Sequence, residues 1–285
     1  MTFRDSFALL SCRLYSISFG KKIDSCKILR NFHMDKEDER KSHMEIVKIP
    51  PMVSIYRHAL HTFDDNHKND IQINLSKLKT MMDALKAEDL GFDQELCNPE
   101  RWNKPKQPPC TYVEVFQNDT VNMSIFVLKP GFKMPLHDHP EMHGLLKVIA
   151  GAVRIRSFTE YPLTIAQNTI DFATRAKFEA ARIANGIHKR RRLFAEITQQ
   201  NVCKANSGTC LLTPTVSNFH EIEALDMPAA FFDILAPPYD TRGPRKCRYY
   251  YVANEISTNL VELQEMSVPD CFVCDQTPYL GPVLL

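Results

Sequence analysis

From about residue 111 onward, hydrophobic and polar positions alternate. The runs "TYVEVF", "MSIFVL", "LLKVIAGAVRIRSF", "TCLLT", "AAFFDIL" and "CRYYYVA" are rich in β-branched and aromatic residues and are bounded by Gly, Pro, Asn or Asp. This is the pattern of strands in an antiparallel sheet. No helical stretches fall regularly between them, as a parallel α/β sheet would require. The expected fold is all-β, an antiparallel barrel or jelly roll. Ahead of this region the period changes: in "NLSKLKTMMDALKAEDLGF", residues 74–92, Leu78, Met81, Met82 and Leu85 recur at helical spacing. Ser76 is placed to cap the start and Gly91 to stop the end, so one short amphipathic helix is expected to pack on the domain.

Two segments break the rhythm. Residues 35–45, "DKEDERKSHME", are almost all charged and cannot bury enough apolar surface to offset their ordering entropy. Residues 1–69 are therefore expected to be a leader and charged linker, largely disordered, with the folded domain over 70–285. Within that domain, residues 157–207 depart from strand alternation. "FATRAKFEAARIANGIHKRRRLFAEI" has partial helical periodicity and contains the basic run Lys189, Arg190, Arg191, Arg192. It reads as an insertion between strands, with the basic run as a solvated loop.

Composition narrows the picture further. A chain of 285 residues that is 44% hydrophobic can bury a real core, and a net charge of +1 creates no global demand for nucleic acid or an anionic membrane. No apolar run approaches the roughly 18 residues of a membrane span. A soluble monomer with no nucleic-acid or membrane partner is expected. Nine cysteines, odd in number and irregularly spaced, point to free thiols in a reducing compartment such as the cytoplasm. The first thirty residues carry more Arg, Lys and Ser than acid, so a mitochondrial presequence is the alternative location. Cys271 and Cys274 form a lone C-x-x-C without the second pair a structural zinc site needs.

Candidate chemistry concentrates in "MPLHDHPEMHG", residues 134–144. In an extended chain His137, His139, Glu141 and His143 would share one face, although Pro140 complicates the end of the strand. An H-x-H pair can chelate a metal from one strand, and a third ligand must then come from another. The best distant candidate is His220 in "LLTPTVSNFHEI". Two imidazoles on an otherwise apolar wall need polar partners, and one divalent ion supplies a partner for both. A competing set, His139, Glu141 and His220, has the 2-His-1-carboxylate composition of another oxygenase class. Asp233 shares a strand face with Phe231 and Leu235 and is either an internal hydrogen-bond anchor or a contact for a substrate amine. Tyr239, in the proline-stiffened "APPYD", either points its hydroxyl into the pocket or packs on the rim. Cys247 and Tyr249 stand two apart and would be neighbours on one strand face, as core residues or as a linked pair.

Taken together and in order, "LKPGFKMPLHDHPEMHGLLKVIAGAVRI", "NFHEI", "FFDILAPPYD", "CRYYYV" and "PYLGP" closely resemble the family shared by cysteamine (2-aminoethanethiol) dioxygenases and plant cysteine oxidases. The resemblance runs from about Asn74 to Leu285, sparing the insertion. It implies a cupin, the double-stranded β-helix barrel, with non-haem Fe(II) held by His137, His139 and His220. It also inclines Asp233 toward a role near the iron and maps the Cys–Tyr thioether of some thiol dioxygenases onto Cys247 and Tyr249. The usual cupin glutamate ligand is absent, with His143 and Gly144 where it might stand, and Val216 replaces a glycine of the second motif.

Three neutral ligands leave the ion its full charge, which favours an incoming thiolate. The implied activity is ordered binding, thiol before O2, with both oxygen atoms ending on the sulfur of cysteamine or of a peptide's N-terminal cysteine as a sulfinic acid. With a peptide substrate this chemistry would suit oxygen sensing. Neither substrate has a free carboxylate beside its aminothiol, so no carboxylate-reading arginine is required, whichever way Arg154 and Arg156 face. The rival readings are a non-enzymatic metal-binding cupin and a zinc or manganese cupin isomerase or hydrolase.

Overall fold

The alternating runs form two sheets. The computed structural model describes residues 13–14, 49–162, 170–184, 190–240 and 243–284, so most of the leader and the charged tract at 35–45 lie outside the described residues. One sheet has the order β1-β13-β2-β3-β10-β5-β8, built from β1 (Arg13–Leu14), β13 (Val273–Gln276), β2 (Cys110–Gln117), β3 (Asn122–Leu128), β10 (Ala229–Ala236), β5 (His143–Ala150) and β8 (Cys210–Leu212). The other is a closed six-stranded barrel in the order β11-β12-β7-β6-β9-β4. Its strands are β11 (Tyr249–Glu255), β12 (Leu260–Met266), β7 (Arg192–Lys204), β6 (Ala152–Tyr161), β9 (Phe219–Ala224) and β4 (Lys133–Asp138). Apart from β13, which runs parallel to β1 and β2, the paired strands are antiparallel. This is the cupin architecture.

Period-2 burial sends side chains from these strands into three large cores, beside a small fourth cluster where Phe194 and Leu260 meet Ile170 and Phe178. Phe126, Leu146, Val148, Ile155, Ile222 and Phe231 meet between the two sheets. Leu136, Phe158, Leu193, Phe219, Tyr250 and Val261, one from each of the six barrel strands, fill the closed barrel. Ile125, Leu145, Phe232 and Ile234 leave the opposite face of the first sheet and pack under helices α1 (Pro51–Phe63) and α2 (Ile71–Asp83). The chain crosses from β5 in one sheet to β6 in the other through Gly151 alone, at φ +68°, where a Cβ would come within 2.4 Å of the Pro228 carbonyl oxygen. Only glycine fits that turn.

The helical part differs from the sequence expectation. There are two helices where one was expected, and α1 lies inside the stretch expected to be disordered linker. It starts at Pro51, a residue suited to the first helical position, and buries Met52, Ile55 and Ala59 at spacings of three and four. Residues from about 50 onward therefore already belong to the folded domain that was expected to start at 70. Helix α2 begins at Ile71, so Ser76 is an exposed interior residue and not the cap. Gly91 does end a helical turn in the left-handed conformation, but that turn is the short 3-10 segment Ala87–Leu90.

The insertion is also shorter than expected. Strands β6 and β7 pair from Ala152–Lys204 through Tyr161–Phe194, so only the stretch between Tyr161 and Arg192 interrupts the sheet. It carries helix α4 (Phe172–Ala184), whose Phe178 stacks on Phe194 at 4.3 Å between ring centroids. Helix α3 is the single turn Pro99–Trp102. The strand character of β7 is masked because its outer half, around Glu196 to Val202, is largely exposed and polar. In the basic run, Arg191 pairs with Glu160, Arg192 with Glu262, and Arg190 donates to the Ser267 hydroxyl at 3.3 Å.

Candidate metal centre

Strand β4 brings its histidines inward through a bulge. Met134 pairs with Ile222 of β9 and His137 with His220, so Pro135 and Leu136 on one strand face the single residue Glu221 on the other. The extra residue sits at Pro135–Leu136, where a proline's missing N–H costs no ladder bond. The bulge resets parity, so Met134 and His137 both enter the space between the sheets while Leu136 enters the closed barrel. Register does the rest: Ser157 of β6, His220 of β9, His137 of β4 and Tyr249 of β11 lie in one cross-strand row. The strand ends at Asp138, but the His139 amide still donates to the Asn218 carbonyl at 2.8 Å, which holds the second histidine beside the first.

The three rings converge. His137, His139 and His220 are buried, and their ligating nitrogens lie within 4.8 Å of one another. The Nε2 atoms of His139 and His220 are 3.0 Å apart. His137 Nδ1 donates to the Pro135 carbonyl at 2.8 Å, which leaves its Nε2 with a lone pair. The Tyr239 hydroxyl gives its proton to the Asp138 carbonyl at 2.7 Å, so its oxygen accepts from His139 Nδ1 at 2.8 Å and sets that tautomer as well. Burial lowers the His137 pKa to about 4. Burial and the neighbouring histidines hold His139 and His220 well below the usual imidazole range. All three are thus neutral, the form that binds a metal, and a donor set of lone pairs aimed at a common point fits a single divalent cation.

The remaining site residues divide. Asp233 is buried and lines a recess beside His220 together with Ser157, Gln199, Cys210 and Ser217. Desolvation pushes its carboxyl up to about 7. Tyr239 is buried at the centre, and burial followed by the adjacent Cys247 thiol raises its phenol well above the usual range. Cys247 and Tyr249 are both buried in the core between the sheets, although Cys247 precedes β11 and the two do not form the same-strand pair expected. Arg154 leaves the opposite face of β6 to pair with Glu223 at 2.6 Å, and Arg156 covers the Phe158 ring. Among the described residues lining the recess there is no Arg or Lys. Ser217 takes the positive φ, +57°, beside the position where Val216 stands in place of glycine.

Glu141 and His143 do not join the centre. The chain turns at Glu141, at φ +61°, and both residues line an outer groove with Phe63, Asp64 and Pro237. The carboxylate of the competing 2-His-1-carboxylate set therefore faces away from the other two ligands. Asp138 is the residue not singled out from the sequence. As the middle residue of H-x-H it must point to the other face, and there its carboxylate accepts from the Arg248 amide at 2.8 Å and the Tyr250 hydroxyl at 2.9 Å. It ties β4 to β11 behind the histidines. Strand parity was the available signal, since an acid turned into the closed barrel needs donors.

A family model described as PCO_ADO matches residues 81–284. The chain is similar to 2-aminoethanethiol dioxygenase of Homo sapiens, 37% identical over 227 residues, which cover 73% of this chain and 80% of the relative. It is similar to plant cysteine oxidase 2 of Arabidopsis thaliana at 24% identity over 205 residues, 71% of this chain and 67% of the relative. Among solved structures, an uncharacterized conserved protein with a double-stranded β-helix domain from Klebsiella pneumoniae aligns over 52% of this chain and 90% of its own, at 13% identity and a TM-score of 0.31.

Proposed function

This chain belongs to the PCO_ADO family, and from that membership we propose that it is a non-haem Fe(II) thiol dioxygenase. Its substrate is a 2-aminothiol, either cysteamine or the N-terminal cysteine of a peptide, and the product is the sulfinic acid: RSH + O2 → RSO2H. The observation that carries the reading is the all-imidazole donor set of His137, His139 and His220, buried and, among the described residues, joined by no carboxylate. When bound there, ferrous iron would supply an undiminished positive centre that favours a thiolate and the redox capacity that dioxygen chemistry requires.

The chain's own residues do the rest. Tyr239 and the Pro135 carbonyl hold two of the rings in the ligating tautomer. Asp233 offers a buried carboxyl on the recess beside His220, where an incoming ammonium would provide the counter-charge that burial denies it. No Arg or Lys stands among the described residues lining the recess beside His220, so a substrate carboxylate placed there would find no cationic partner. Leu146, Ile155 and Leu212 make its remaining wall apolar and limit water. Cys247 and Tyr249 lie in the core between the sheets beside the ligands, with the Tyr249 ring 6.3 Å from that of His137.

Anaerobic loading with Fe(II), followed by oxygen uptake with three thiols, tests this. Uptake is expected with cysteamine or a Cys-initiated peptide, accompanied by a gain of two oxygen atoms on the thiol, and free cysteine is expected to be the poor substrate. No uptake with any of the three, or metal retained after loss of the histidines, would leave a metal-binding or isomerase cupin as the better description.

A further inference from the structure

Two thiols stand close together where the metal recess meets the end of the barrel. Cys203, at the end of β7, and Cys210, at the start of β8, have their Sγ atoms 3.8 Å apart. The turn between them is pinned from several sides. The buried Lys147 ammonium donates to the Ala205 carbonyl at 2.9 Å and the Ser207 carbonyl at 2.6 Å. The Lys204 amide donates to the Ser207 hydroxyl at 2.9 Å, and the Thr209 amide to the Asp83 carboxylate at 2.6 Å. Such a turn holds the two sulfurs in register instead of leaving their meeting to chance. Cys203 is buried, whereas Cys210 is partly exposed and lines the recess with His220 and Asp233. Gln199 donates its side-chain amide to Cys210 Sγ at 3.4 Å. The hydrogen bond shared with Cys203, aided by Gln199, lowers the Cys210 pKa while that of Cys203 rises, so the accessible sulfur is the more nucleophilic of the pair.

We propose that Cys203 and Cys210 form a peroxide-sensitive dithiol, and that its oxidation to a disulfide reshapes the recess at the metal centre. The Cys210 thiolate attacks one peroxide oxygen; the O–O bond breaks, the leaving hydroxide takes a proton to become water, and Cys210 becomes a sulfenic acid. The Cys203 sulfur then attacks Cys210 sulfur, the S–O bond breaks, and a second water leaves. The balance is 2 RSH + H2O2 → RSSR + 2 H2O, with two electrons passing from the sulfurs to peroxide. An S–S bond of about 2.0 Å draws Cys210 toward Cys203 and away from Gln199 and the recess wall. The effect on turnover rests on the function proposed above; the disulfide itself does not.

Reduced full-length protein is treated anaerobically with stoichiometric hydrogen peroxide, alkylated, and followed by intact mass and peptide mapping. The expected result is the loss of two hydrogens, a 203–210 cross-linked peptide, and reversal by dithiothreitol, which would not reverse a Cys247–Tyr249 thioether. Turnover should fall several-fold on oxidation and recover on reduction. Cys203→Ala and Cys203→Ser should keep basal turnover and lose the reversible part of the peroxide response, which separates it from peroxide acting on the metal. Alkylated Cys203 and Cys210 after peroxide, or peroxide inactivation unchanged in both variants, would overturn the proposal. A quantitative cross-link with unchanged turnover would overturn the coupling to the recess. If the protein oxidises none of the test thiols, the mapping still decides the disulfide, so the two readings fail separately.

Discussion

Strand β10 buries all eight of its residues, but its two faces meet different surroundings. Ala230, Phe232 and Ile234 face the helices, where they pack with Leu78, Met82 and Ile125. Phe231, Asp233 and Leu235 face the other sheet, where the same density of burial surrounds a carboxyl held up near 7 and, across the recess, one of the three converging histidines. One backbone thus carries a dry face that contributes stability and a polar-punctuated face that contributes chemistry. The helices make this division possible. By covering the outer face they bury it without help from the inner one, so the inner face can tolerate groups whose burial costs free energy.

The sharpest way to break the comparison is at the inner face. His137→Ala removes one of three converging nitrogens and should abolish metal binding and turnover, while circular dichroism and the cooperative unfolding of the metal-free protein persist, because the rest of the row from Ser157 to Tyr249 stays paired. Metal analysis of the purified variant checks this. Full metal content would restore the His139, Glu141, His220 set despite the outward turn at Glu141.

The outer face should respond in the opposite way. Phe232 is wholly buried between the sheet and the helices. Phe232→Ala should destabilise the fold by about 3–5 kcal/mol through lost transfer energy and a residual cavity. The molecules that remain folded should still bind one metal each. Denaturant unfolding paired with metal stoichiometry tests the split. A variant that unfolds normally but binds no metal would mean that the two faces are not separable.

How much of this was legible in the sequence follows the same division. The histidine pair was readable because H-x-H has the strand period and stands in apolar surroundings, and His220 because it follows a strand. The bulge at Pro135–Leu136 was not, since it changes parity without changing composition. Helix α1 was hidden by the neighbouring charged tract, although Met52, Ile55 and Ala59 carry its period. Exposed polar residues along β7 look like loop because that half of the strand faces solvent. Tyr239 was only half legible: its partner Asp138 is 101 residues away in the chain, and no local pattern specifies that contact.

That contact offers the smallest and most selective test. Tyr239→Phe keeps the ring and its packing and removes only the oxygen that accepts from His139 Nδ1 and donates to the Asp138 carbonyl. The metal-free protein should lose about 1–3 kcal/mol of stability, because two buried hydrogen bonds go together and the His139 Nδ1–H is left without its acceptor. Metal affinity should fall about 10- to 100-fold, the range found when the partner of a ligating histidine is lost. Competitive titration against a chelator measures the second quantity and denaturant unfolding the first. A loss of stability with unchanged affinity would place Tyr239 among the packing residues of the inner face and leave His139 to find its orientation from the Asn218 backbone alone.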